Sequence, residues 1–257
     1  TSTLTLGVER DTDGTRLRSI DLRNDAVQAT GNADITSQAT SANFTAQITD
    51  LNLVTPSLSG PATLTADLQT DTQGVITLDA GVTAPRAEAS AQGNASPIEG
   101  GYVVRAEAAI AVDELSAYSD LVGQQVGGGL SVSLDGTFTT TTGAMNADVR
   151  ARTQDLRAGS SALDRVLAGL GRIDADVSLS EAGRLRLDAI DVVFPNLTAG
   201  GTVATSGTDT VANLSVRLRD IALLVSDFSG PLVADITARQ DPAGWAVTGE
   251  ATGPVGT

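Results

Sequence analysis

The stretch Asp11-Thr12-Asp13-Gly14 comes closest to a ligand motif in this sequence, because alternate carboxylates followed by glycine open a calcium loop. The rest of such a loop is missing. No Glu stands at the twelfth position for bidentate coordination, and alternating apolar sequence follows at once. A solvated hairpin turn is the reading these residues support, and Asp71, Asp135 and Asp241 stand at similar turn signals. Gly127-Gly128-Gly129 lacks the Lys-Ser/Thr end of a phosphate loop. The chain has 0 His and 0 Cys, which removes histidine bases, catalytic triads, thiolate nucleophiles, disulfides and the usual zinc ligands. The carboxylates Glu181 and Asp188 read as a polar outer face. The Asn-x-Ser/Thr triplets at Asn43, Asn94, Asn196 and Asn213 read as chance in an Asn/Thr-rich chain. The expectation is therefore no catalytic, cofactor-binding or metal residue, and a non-enzymatic protein that works through a surface.

Composition says what kind of surface. Aromatics are 3% of 257 residues while apolar residues are 41%, carried by Leu, Val, Ile and Ala, with Thr, Ser, Asn, Asp and Gly between them. That balance suits strands with one narrow apolar face. A net charge of −15 repels a phosphate backbone, so no nucleic acid is expected as a partner, and adhesion to anionic head groups is disfavoured. A Cys-free, acidic, Thr-rich β-chain is compatible with a bacterial envelope or secreted protein. No run of ~20 apolar residues is present, and both ends lie in patterned sequence, which reads as a segment of something longer.

The strongest organisational signal is an ungapped repeat. Residues 16–74 align with 186–244, with 16 identities in 59 positions, among them Ile20/Ile190, Asn43/Asn213 and Asp50/Asp220, and Ser59-Gly60-Pro61 returning as Ser229-Gly230-Pro231. Apolar parity survives where identity does not: Phe44, Ala46 and Ile48 answer to Leu214, Val216 and Leu218. A period of two kept across a repeat means strands with one face buried. About fourteen such runs are bounded by turn signals at Asp13-Gly14, Gln73-Gly74, Asp135-Gly136, Ala182-Gly183 and Ala243-Gly244. Repeat units fall at approximately 1–85, 86–160 and 161–257. Within them a strand ends at Asp, an irregular connection follows, and Gly restarts a hairpin: Asp50 to Gly60, Asp113 to Gly127–Gly129, Asp155 to Gly171 and Asp220 to Gly230. Two connections predict short helices, at 113–126 and 161–171. The second is capped by Ser161 with Asp164 and carries a Leu163, Val166, Leu167, Leu170 stripe that reads as a plug on the sheet.

The series Leu163-Asp164-Arg165-Val166-Leu167-Ala168-Gly169-Leu170, then 173–179, Arg184 to Ile190, Leu218-Arg219-Asp220-Ile221 and Gly244-Trp245-Ala246-Val247 resembles the middle region of the TamB family of the AsmA-like superfamily, in its α-proteobacterial form. The connections 113–134 and 155–171 are similar to the same family's strand–helix–glycine link. The resemblance implies an all-β fold, an elongated, curled antiparallel trough with one or two short helices. It also implies a periplasmic location behind an inner-membrane anchor outside this segment, an Omp85-class outer-membrane barrel as partner, and phospholipid acyl chains in an apolar groove. The strand patterning names the lining: Phe44, Ala46, Ile48, Leu64 and Leu68; Leu130, Val132 and Leu134; Leu185 and Leu187; Leu214, Val216 and Leu218; Leu232 and Ile236. Thr45, Gln47, Thr65, Ser215, Arg217 and Asp235 should face water. Burying ~16 methylenes at ~0.8 kcal/mol each contributes on the order of 12 kcal/mol, so a row of similar strand faces lets a chain slide where one deep pocket would trap it. The alternative is a secreted β-solenoid adhesin or autotransporter passenger with a structural role; its coils would repeat every 20–30 residues with parallel strands.

Overall fold

The computed structural model describes residues 2–10, 12, 14–36, 39–53, 58–207, 209–241 and 244–254. Asp11 and Asp13 of the calcium-like motif, Ala243 of one expected turn and the side chain of Asp241 lie outside the described residues. Two compact units divide between Val112 and Asp113, inside the second expected repeat unit. Both are antiparallel meanders in which each strand pairs with its sequence neighbour.

Unit 1 runs β1 (Thr3–Arg10), β2 (Gly14–Arg23), β3 (Val27–Thr36), β4 (Thr40–Ile48), β5 (Ala62–Thr70), β6 (Ile76–Ala84), β7 (Ala87–Ile98) and β8 (Gly101–Val112). Unit 2 opens with a 3₁₀ turn (Leu115–Tyr118) and α1 (Ser119–Val122). It continues as β9 (Gly127–Thr139), β10 (Met145–Arg157), α2 (Ser161–Val166), β11 (Leu170–Leu179), β12 (Leu185–Val193), β13 (Leu197–Ser206), β14 (Asp209–Leu218), β15 (Leu232–Asp241) and β16 (Gly244–Thr252). The all-β, antiparallel reading holds, and parallel solenoid coils are not this architecture. Among the described residues no helix is long and apolar enough to cross a membrane, which says nothing about crossing by strands.

The repeat is structural as well as sequential. β3 and β13 span residues exactly 170 apart in number, as do the 3₁₀ turns Leu51–Leu53 and Ile221–Leu223. A register shift between Leu17 and Ile20 in β2 recurs between Leu187 and Ile190 in β12. Bulges bend strands locally, and their placement explains a departure from expectation. The ladders from β3 to β8 and from β13 to β16 run without any register shift. With nothing to bend them there, neither sheet is closed or strongly curled, and the expected curled trough is an open face instead.

In unit 2 the turns 140–144 and 180–184 lie at one end of the sheet, and the connections 158–169, 194–196 and 219–231 at the other. Residues 71–75 of unit 1 turn tightly as expected: Asp71 Oδ1 accepts from the Gln73 and Val75 amides at 2.8 and 2.9 Å, and Gly74 takes φ 78°. Asp135-Gly136 is not a turn. It lies inside β9, where Gly136 faces Ala147 because an added Cβ would press on the Asn146 carbonyl at 2.8 Å. The helices are also shorter than the stripes predict. α2 stops at Val166, and Leu170 already belongs to β11 at 74% exposure, since Gly169 at φ 90° turns the chain out of the helix. Ser161 does not cap α2: Ser160 holds the N-cap position without a side-chain bond, and Asp164 instead accepts from the Ala158 amide at 2.8 Å.

Candidate functional site: the apolar face

Residues directly opposite in an antiparallel ladder point to the same side, so the registers sort every side chain by face. In unit 1, Phe44 pairs with Ala66, Ala46 with Leu64, Ile48 with Ala62 and Leu68 with Ala42. The same side continues through Leu78, Ala80 and Val82 to Ala91, Ala108 and Ile110. In unit 2, Leu130, Val132 and Leu134 face Thr153, Ala151 and Val149; Leu185 and Leu187 face Leu179 and Val177; Leu214, Val216 and Leu218 face Ile236, Ala234 and Leu232. Every residue expected to line a groove thus falls on the apolar side of its unit. Thr45, Gln47, Thr65, Ser215, Arg217 and Asp235 fall on the other.

That apolar side is largely uncovered. The chain exposes 15747 Å² at 26.0 kDa, against roughly 10,500 Å² for a compact monomer of that mass. Among the described residues no side chain falls below 2% exposure, and Leu64, Leu78, Val82 and Ile110 are 38%, 42%, 40% and 50% exposed. Small side chains, Ala66, Ala80, Ala91 and Ala108, form one row across β5 to β8, between rows headed by Leu64 and Leu68. The opposite side is charged. Arg152 and Arg172 both pair with Asp174, at 3.0 and 3.1 Å, and Arg172 also reaches Asp191. Asp188 pairs with Arg186 at 3.1 Å rather than with Glu181, which stands exposed in its turn. On this polar side a shallow, open depression over β13 to β16 is bounded by Gly200, Asn213, Ser215, Asp235, Thr237 and Glu250 among others. No expected residue reaches into it except at the backbone of Leu214 and Ile236, whose side chains belong to the apolar side.

What holds the strand ends in place is a carboxylate clasp that the sequence reading located only in part. Asp50 Oδ1 accepts from the Asn52 and Gly60 amides at 3.0 and 2.9 Å, and Asp220 Oδ1 accepts from the Ala222 and Gly230 amides at the same two distances. One oxygen caps the 3₁₀ turn and pins the glycine that restarts the sheet. Gly60 and Gly230 take φ 103° and 115°, a region that favours glycine. The connection after β8 uses Glu114, not Asp113, and grips Ser116 and Gly128. Asp155 grips Gly169 rather than the expected Gly171, at 3.0 Å. Gly171 has a different task, because the Phe194 ring and Thr153 Oγ1 leave no room there for a Cβ.

Backbone amides aimed at these oxygens hold their protons off. Asp50 lies below the ordinary carboxylate range, chiefly through the Asn52 amide and then Gly60; Glu114 through Ser116 and then Gly128; Asp220 through Gly230 and then Ala222. A pKa depressed on folding contributes stability above the unfolded value near ~4 and loses it as pH falls through the folded value. Asp220→Ala is expected to speed amide exchange at Ala222 and Gly230 while β9 to β11 keep their protection. Acidification below pH ~4 should lower the protection of Gly60 and Gly230 in the unaltered chain, taken relative to the unstructured exchange rate at each pH. Hydrogen-exchange mass spectrometry reads both, and unchanged protection would mean the clasp holds nothing.

Among the described residues no three acidic side chains gather to hold a metal ion. Comparison finds no family model, no curated protein and no solved structure that matches the chain.

Proposed function

We propose that this chain is a non-enzymatic segment of a TamB-like periplasmic scaffold whose apolar faces shield and conduct phospholipid acyl chains between the inner and outer membranes. The observation that carries the reading is a continuous apolar side left open in unit 1, where Leu64, Leu78 and Ile110 are 38–50% exposed, and in unit 2 away from the buried end at Phe194 and Leu218, where Leu134 is 39% exposed. A soluble fold that spent these side chains only on its own stability would bury them, since each full burial contributes about 1.5–3 kcal/mol. The family resemblance of 113–134, 155–190 and 218–247 supports the same reading, and with it an Omp85-class barrel partner reached through regions outside this segment. The curled trough that the resemblance implies is replaced in this proposal by the open faces described above, whose rows of Leu and Val side chains would meet the acyl chains.

The test puts a photo-crosslinking residue at Leu214 and another at Arg217 in the protein in cells. They lie on one strand and on opposite faces. Lipid adducts at 214 and few at 217 are expected. Equal adducts at both, or none at either, would end the lipid reading.

A further inference from the structure

Three connections at one end of unit 2 are tied together. The Arg165 guanidinium of α2 donates through Nε and Nη2 to the Leu223 carbonyl at 3.2 and 2.9 Å. Asn196, from the turn between β12 and β13, donates through Nδ2 to the Arg165 carbonyl at 3.1 Å. α2 follows β10 and Leu223 follows β14, so the tie crosses the ends of β11, β12 and β13. Four ladder steps of ~4.8 Å make that crossing about 19 Å. The best-buried side chains of the unit gather at this end: Val166 of α2 itself, Phe194 and Leu218, each 4% exposed, and Thr153, also 4%, whose Oγ1 is buried without a partner. The registers put Thr153, Gly171 and Leu218 on the apolar side, and the Phe194 ring occupies the space above Gly171. The tie therefore lies over the apolar side and closes it at this end. In the aligned part of unit 1, Asn24 stands in the place of Phe194 and bonds its own turn through Oδ1.

We propose that α2, latched by Arg165 on Leu223, is a positioning strap for lipid. It walls off one end of the apolar face of unit 2, so an acyl chain crossing β10 to β14 is confined to the half nearer the tight turns. Its head group then passes beside residues 180–184. The proposal rests on the lipid reading above and adds the route. A chain seated under the strap would have to displace Val166 and Phe194, which are packed, whereas Leu185 at the other end of β12 is only half-buried.

The test uses the purified chain with phosphatidylcholine vesicles and a photo-crosslinking residue at Leu185 or at Val192, both on the apolar side of β12. Adducts at 185 are expected to exceed those at 192 by about tenfold, which displaced packing worth about two methylenes would give. Arg165→Ala should raise labelling at 192 toward that at 185 and leave 185 unchanged. Asn196→Ala, which keeps the guanidinium latch and removes one bond, should shift it partway, and it serves if the first variant melts below the assay temperature. Equal labelling at 185 and 192 in the unaltered chain overturns the strap and leaves the lipid reading standing. Labelling at neither position removes the lipid reading and the strap with it.

Discussion

Gly201→Val is expected to lower the thermal midpoint of unit 2 by about 6–12 °C, from an overpacking cost of about 3 kcal/mol at 2–4 °C per kcal/mol. An added Cβ at this position overlaps the Asn213 carbonyl oxygen and comes within 2.9 Å of Leu214 Cδ2. The first obstacle is backbone, and β13 cannot retreat from it without giving up ladder bonds to β14. Leu214 fills the space that Gly201 leaves, as Phe44 does at Gly31, where an added Cβ would meet the Asn43 carbonyl at 2.7 Å. Gly31→Val should therefore act in the same direction on unit 1. Gly183→Ala meets no atom within 4 Å and is strained only by its φ of 71°, so it should cost about 1 kcal/mol. Thermal melts followed by circular dichroism rank the three. A Gly201→Val midpoint equal to that of the unaltered chain would mean that the strands do not approach this closely.

Leu64→Asp should leave the fold standing and remove lipid transfer. Leu64 is 38% exposed, so a carboxylate there stays hydrated and the sheet loses only part of one side chain's burial, about 1–2 kcal/mol. Against hydrocarbon the same carboxylate is unpaired and costs several kcal/mol, which at 1.4 kcal/mol per tenfold lowers occupancy by at least about a hundredfold. Leu218→Asp is the contrast. At 4% exposure beneath the strap it has no water to turn to, and it should unfold the end of unit 2. Transfer of a fluorescent phospholipid between vesicles, measured beside a melt of each variant, separates the cases. Leu64→Asp with full transfer activity would sink the lipid reading; Leu64→Asp that unfolds would show that the face is packed after all.

Much of the fold could be read before any coordinates, because period-two patterning specifies strand, face and antiparallel neighbour together. It worked where the inward residues are large, as at Phe44 to Ile48 and Leu214 to Leu218, and every expected lining residue lies on the apolar side. It faded in β3, β7 and β13. Their inward positions are filled by residues such as Ala29, Gly31 and Ala33, or Ala89, Ala91 and Gly93, whose polarity barely differs from that of the Thr and Ser between them. Asp135-Gly136 misled because a turn dipeptide and a close-approach glycine look alike until the opposite strand is known. The clasps were visible as spacing, Asp50 to Gly60 and Asp220 to Gly230. Which carboxylate and which glycine close the other two depends on where each strand stops, and that shifted Asp113 to Glu114 and Gly171 to Gly169. The strap leaves no local signal, since Arg165 and Leu223 are 58 residues apart. The depth of curl was set by bulges, which a pattern of alternation does not record.

Because every ladder within a unit joins consecutive strands, no strand has to wait for a distant part of the chain before it can pair. The longest connection inside unit 1 is the stretch 49–61, and closing such a loop takes only about 10–100 ns. Contact order is low for a β-protein, so such a sheet can grow like a zipper, one hairpin added to the last as the polypeptide is delivered end first. The same linearity sets how it fails. A load on a terminal strand is carried by one ladder at a time, and the sheet should peel strand by strand from its edge, giving a sawtooth of small steps in force spectroscopy where a two-layer sandwich gives one large rupture.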